Sequence, residues 1–150
     1  QRTFSCIAGV LIAGGLAASQ ALAGQRPVQC DLVIEVNALR GGSPTVVSNG
    51  TKDITAKARI AKGSAPDGTT IDTQVMIEAI SSMGTTSFTS DPNHLIRLGI
   101  GKGGQGPKVT MTVPKCQSGE FVRFRAKFFG NEADGDYCES DWAQITKTCN

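Results

Sequence analysis

The sequence predicts an all-β protein, an immunoglobulin-like antiparallel β-sandwich of seven to eight strands. Three observations predict it. Between Lys108 and Gly130 two runs of strict apolar/polar alternation, Val109/Met111/Val113 and Val122/Phe124/Ala126/Phe128, flank a short turn from Pro114 to Gly119. The same period of two recurs upstream in runs bounded by Gly, Pro, Asn and Ser. No segment reads as a helix, and seven or eight short strands with turn punctuation describe a two-sheet sandwich.

The opening segment stands outside this pattern. Arg2 precedes an apolar, Gly- and Ala-rich run from Phe4 to Leu22 that ends in Ala21-Leu22-Ala23. This is the layout of a secretory signal peptide, expected over residues 1–23 with cleavage before Gly24; the folded domain is then 24–150. The run is short for a membrane span, so no membrane contact is expected after cleavage. Cys6 leaves with the leader.

The chain holds 15 Lys and Arg against 13 Asp and Glu. Loss of Arg2 with the leader makes the domain nearly neutral. A nucleic-acid binder carries a basic excess or stripe, so that class is set aside. The domain keeps Cys30, Cys116, Cys138 and Cys149. An even count in an exported chain implies two disulfides and a secreted or periplasmic location. No C-x-x-C pair exists and the one histidine, His94, is far from every Cys in sequence, so a zinc site is not expected.

The strands follow in order. Cys30–Leu39 turns Leu32, Ile34 and Val36 inward and Asp31, Glu35 and Asn37 outward, with Val33 off the pattern. Thr45–Val47 extends pairing after a Gly-Gly-Ser-Pro turn. Thr51–Lys62 buries Ile54, Ala56, Ala58 and Ile60. Its Ala and Lys content suits a helix, but seven residues of alternation decide for a strand. Thr69–Ile80 buries Ile71, Thr73, Val75, Ile77 and Ala79. Short strands are expected around Thr86–Thr89 and Leu95–Ile100, separated from the next long strand by a flexible glycine loop, Gly99–Pro107. Strands at Lys108–Val113 and Glu120–Phe129, an acidic loop at Asn131–Asp141 and a last strand at Trp142–Thr148 complete the chain.

The stretch VTMTVPKCQSGEFVRFRAKFF and the NEADGDYCESDW that follows it resemble bacterial CARDB-like and related immunoglobulin-like adhesion modules. The shared features are a strand ending in Val-Pro, a Gly turn, a long alternating strand, an acidic loop and a short final strand. Asp31-Leu32-Val33 fits the opening of such modules, and the likeness spans most of residues 30–149. It implies a secreted sandwich and no catalytic residue.

Strand direction gives the cysteine pairing. With the first strand running up, Cys30 and Cys138 fall at the bottom and Cys116 and Cys149 at the top. A ten-residue strand spans roughly 33 Å, whereas disulfide Cα atoms lie within about 7 Å. The expected bonds are Cys30–Cys138 and Cys116–Cys149.

Several features invite a chemical reading. Gly99, Gly101 and Gly104 match G-x-G-x-x-G, but the loop runs into Pro107 and a strand instead of a helix, so no phosphate cradle is expected. Glu132, Asp134, Asp136, Glu139 and Asp141 supply oxygens of the kind Ca²⁺ takes, without the helix-flanked loop of a known calcium motif. A solvated acidic loop is expected and no metal is assigned. His94 follows Asp91, yet no G-x-S-x-G supplies a nucleophile. Trp142 is expected to cover the end of the core; with Tyr137 it is the alternative candidate for stacking on a sugar ring. Arg123, Arg125 and Lys127 form a basic stripe, expected to be neutralised by Asp72 and Glu78 on a neighbouring strand. Asp31 and Glu35 are expected to face Lys57 and Arg59.

These features point to a non-catalytic, cofactor-free binding or structural module of the cell envelope with a protein or glycan partner. Tyr137, Trp142, Arg123 and Arg125 are the candidate surface contacts. The alternatives are a surface-assembly subunit that joins by strand addition, or a small secreted hydrolase or inhibitor.

Overall fold

A computed structural model describes residues 30–150, and the expected leader lies outside them. All the regular structure described is β. Eight strands have four or more residues: β1 (Ile34–Arg40), β3 (Thr51–Ile60), β4 (Thr70–Ser81), β5 (Gly84–Thr89), β6 (Ile96–Gly99), β8 (Val109–Thr112), β9 (Phe121–Asn131) and β11 (Ala143–Cys149). Three shorter ones add to them: β2 (Thr45–Val46), β7 (Gly104–Gln105) and β10 (Tyr137–Glu139).

The strands form two sheets. In the smaller, β3 pairs with β1, β7 and β8; in the larger, the order is β2-β11-β9-β4-β5, with β10 on β9 and β6 on β4. Pairing is antiparallel apart from β2 on β11 and an isolated Ile60–Ile100 bridge. The grouping of β1, β3 and β8 against β4, β9 and β11 is that of an immunoglobulin-like sandwich.

Alternation puts the core between the sheets. Ile54, Ala56, Ala58 and Ile60 of β3 meet Ile71, Val75, Ile77 and Ala79 of β4 and Val122, Phe124, Ala126 and Phe128 of β9, all buried. Thr73 is buried with them because its hydroxyl donates to the Ile96 carbonyl. Phe121 is 70% exposed, so the four phenylalanines of this strand divide between the two faces. In β1 the register shifts between Val36 and Ala38. This bulge at Asn37 flips the alternation, so that Leu39 packs on the core, which period two alone does not reveal.

Two expectations need correction. The glycine loop is pinned, not free: Gly101 N–H donates to the Ile60 carbonyl and Gly106 N–H to that of Ala56. A Cβ on Gly104 would lie 2.6 Å from the Arg97 oxygen and 2.6 Å from a Leu98 methyl. The glycines therefore let β6 and β7 approach and close one corner of the sandwich. Trp142 does not cap the core. It is half-buried on the outer face of the larger sheet.

Candidate functional site

Each end of the sandwich is tied by a disulfide. Cys30–Cys138 has a Cα separation of 5.2 Å and Cys116–Cys149 one of 6.2 Å, so bottom is joined to bottom and top to top. Such bonds belong to an oxidising, extracytoplasmic compartment.

Three surface features follow from this frame. The first is the outer face of the larger sheet. Arg125 donates to Glu78 from Nε at 3.2 Å and Nη2 at 2.9 Å, as cross-strand neighbours should. Its guanidinium also lies 4.1 Å from the centre of the Trp142 ring, and Lys127 Nζ lies 4.9 Å from the same centre. Lys127 continues to Glu139, which accepts from Tyr137 Oη. The hydrogen bond from Lys127 holds the Glu139 carboxyl below its ordinary pKa, with Tyr137 adding to it. Arg125, Trp142 and Tyr137 thus belong to one network, while Arg123 stands apart and exposed opposite Ile80 and Thr146. Asp72 does not neutralise the stripe; it holds Arg97 of β6.

The second feature is acidic. Asp31, Glu132, Asp134 and Asp136 bring their carboxylates within 4.8 Å of one another. Withdrawal from water raises the Glu132 pKa, and the charges of Asp134, Asp31 and Asp136 raise it further; Asp136 is raised likewise. These are the oxygens that could hold a hard cation. Asp31 therefore does not face Lys57, although Glu35 does bond Arg59. Glu139 and Asp141 lie outside this cluster. Asp31 enters it because Cys30 is bonded to Cys138 beside the loop, a proximity that a window along the chain does not display.

The third feature is the edge formed by β5. Ser90 N–H donates to the Val75 carbonyl, which marks that pair as hydrogen-bonded. Antiparallel alternation then turns the backbone of Gly84, Thr86 and Phe88 toward β4 and that of Thr85, Ser87 and Thr89 away. Among the described residues these outward groups have no partner. All three residues are exposed. The strand is held from below, where Thr86 Oγ1 donates to the Thr112 carbonyl.

The other edges carry the features that discourage pairing. β1 has a bulge and carries Glu35 and Arg40; β8 lies between Pro107 and Pro114; β11 holds Lys147 and is partly covered by β2. β6 holds Arg97 and closes onto β7. In fact β5 and β6 are one edge strand along β4, interrupted by Ser90–Leu95, where Ser90 Oγ fills the gap by accepting the Val75 N–H at 2.9 Å. GTTSFT has no charge, no proline and no bulge. Its sequence signal was present as an uncharged run beside a tight turn, but its place at the edge comes from topology.

His94 sits at the tip of that interruption, 84% exposed, with Nδ1 2.8 Å from Asp91 three residues earlier. The pair closes a turn that Asn93 N–H also caps by donating to Asp91.

No family model matches the chain, CARDB-like modules included, and no curated protein matches it. Among solved structures it is similar to one described as the archaeal flagellum of Methanospirillum hungatei strain JF1, at 18% identity and a TM-score of 0.42, over 97% of this chain and 84% of that chain. At this level the likeness carries no weight for function.

Proposed function

We propose that this protein is an exported, non-catalytic module of the cell envelope that serves as a subunit of a surface assembly, joining its neighbour by strand addition at β5. The observation that carries this reading is the set of backbone groups on Thr85, Ser87 and Thr89 that have no partner among the described residues, in an edge strand without charge, proline or bulge. Such an edge is a template for another strand. The two disulfides support the compartment, since they brace a small domain that works outside the reducing cytoplasm.

Two competing readings have less support. A sugar stacking on the Trp142 ring would compete with Arg125 and Lys127, which already lie against it. Hydrolysis needs a base beside a nucleophile, and the polar partner of His94 among the described residues is Asp91.

The test is fractionation of the producing cells. The wild-type protein is expected in sedimenting surface material, and Ser87→Lys, which adds a charge to the free edge alone, is expected to release it as free subunit. Wild-type protein recovered only as free subunit would refute the reading.

A further inference from the structure

We infer that the strand received by β5 is the β5 of a second copy of this chain, antiparallel across a two-fold axis at Ser87. The inference rests on β5 being an assembly edge and adds the identity of the partner; a two-fold contact closes on itself, so the β5-paired dimer is the unit that the surface assembly takes up.

The outward residues are spaced symmetrically about Ser87. A two-fold axis there opposes Ser87 to its own copy and Thr85 to Thr89 of the other chain, twice. All are hydrogen-bonded positions, so every outward N–H and C=O meets a complement. Their side chains lie on the outer face, where hydroxyl residues opposite hydroxyl residues are favourable cross-strand pairs. A charge at position 87 would meet its own like charge from the second copy, and Ser87 carries none.

The strands behind the edge also tolerate the symmetry. Glu78 is the β4 neighbour of Ser87. Across the axis two Glu78 residues would stand three strand spacings apart, about 14 Å, beyond a Debye length of about 8 Å. Each is already held by its own Arg125. A foreign strand recognised by its side chains needs pockets beside the edge. Here the edge offers the short hydroxyl side chains of Thr85, Ser87 and Thr89, which match their own copies in size and polarity and form favourable cross-strand pairs.

Sedimentation of the purified, oxidised chain over a concentration series tests this, with Ser87→Lys, Ser87→Cys and Thr89→Cys beside the wild type. The wild type should show a monomer–dimer equilibrium, and Ser87→Lys should weaken it at least tenfold with unchanged circular dichroism. Cysteines at position 87 would face each other with Cα atoms about 5.5 Å apart, within disulfide range, so Ser87→Cys should oxidise to a covalent dimer. Two residues at position 89 would be about 14 Å apart, so Thr89→Cys should not. A wild type that stays monomeric, a dimer indifferent to Ser87→Lys, or equal cross-linking at 87 and 89 would overturn the inference. If Ser87→Lys releases the protein from surface material while the purified wild type is monomeric, the partner is another chain: this inference fails and the assembly reading stands. If Ser87→Lys changes neither, both fail.

Discussion

The guanidinium of Arg125 lies against the ring of Trp142, 4.1 Å from its centre, and this contact places the tryptophan outside the core. Arg125 is fixed from the other side by Glu78, so the ring, the cation and the carboxylate form one rigid unit across β4, β9 and the start of β11. A half-buried cation–π contact contributes about 0.5–2 kcal/mol. Arg125→Ala is expected to destabilise the domain by about 1 kcal/mol and to shift Trp142 fluorescence. A double-mutant cycle with Trp142→Phe, followed by urea unfolding, should give a coupling of about 0.5–1 kcal/mol. Zero coupling would mean that the ring is held by packing alone.

The disulfides close loops of very different length, with sequence separations of 108 for Cys30–Cys138 and 33 for Cys116–Cys149. The loop-entropy relation gives about 5 and about 4 kcal/mol respectively. The loops overlap in sequence, so a closed Cys116–Cys149 bond slightly shortens the path from Cys30 to Cys138, and either bond alone retains part of the constraint. Replacing either pair by alanine should lower stability by about 3–5 kcal/mol, and replacing both should cost at least the sum of the two single losses. Urea midpoints of the three variants decide this, and peptide mapping without reductant checks the connectivity.

The inner face was legible because burial writes itself into alternation. Val122, Phe124, Ala126 and Phe128 could be assigned one by one, and strand direction led from there to the ends where cysteines meet. What was not legible depends on neighbours distant in sequence. Trp142 follows Asp141 in a strand start, a position that often covers a core; only the register between β9 and β11 brings Arg125 and Lys127 to it. Asp31 joins the acidic loop through a disulfide, and Asp72 meets Arg97 because β6, not β9, supplies the nearer cation. The β5 edge is a property of what is absent beside it. No pattern inside GTTSFT tells an edge from a central strand.

Glycine positions make a sharp contrast. An added Cβ at Gly130 would sit 2.2 Å from the Asp72 oxygen, and at Gly104 it would meet the backbone of Arg97, whereas Gly84 has open space. Gly130→Ala and Gly104→Ala are expected to destabilise by about 1–3 kcal/mol, the cost of forcing atoms into a packed site. Gly84→Ala should be near neutral. Thermal unfolding of the three variants checks this. A neutral Gly104→Ala would show that the corner between the sheets opens easily and that the glycine loop is mobile after all.

The acidic cluster and the Asp72–Arg97 pair should move stability in opposite directions with pH. Glu132 has a raised pKa in the fold, through withdrawal from water and then the charges of Asp134 and Asp31. The folded state therefore binds its proton more tightly than the unfolded chain does. Glu132 weakens the fold above its raised pKa and relieves that strain as pH falls through it. Asp72 is lowered, first by the hydrogen bond from Arg97. Its contribution is present above the ordinary carboxylate pKa and is lost as pH falls toward the folded value. Glu132→Gln is thus expected to raise the melting temperature at pH 7, with the gain shrinking toward pH 4. Asp72→Asn should lower it at pH 7, with the loss shrinking below pH 4. Melting curves of both variants between pH 3 and pH 8 measure the two slopes. A Glu132→Gln gain that persists unchanged at pH 3 would show that the four carboxylates do not repel one another in solution.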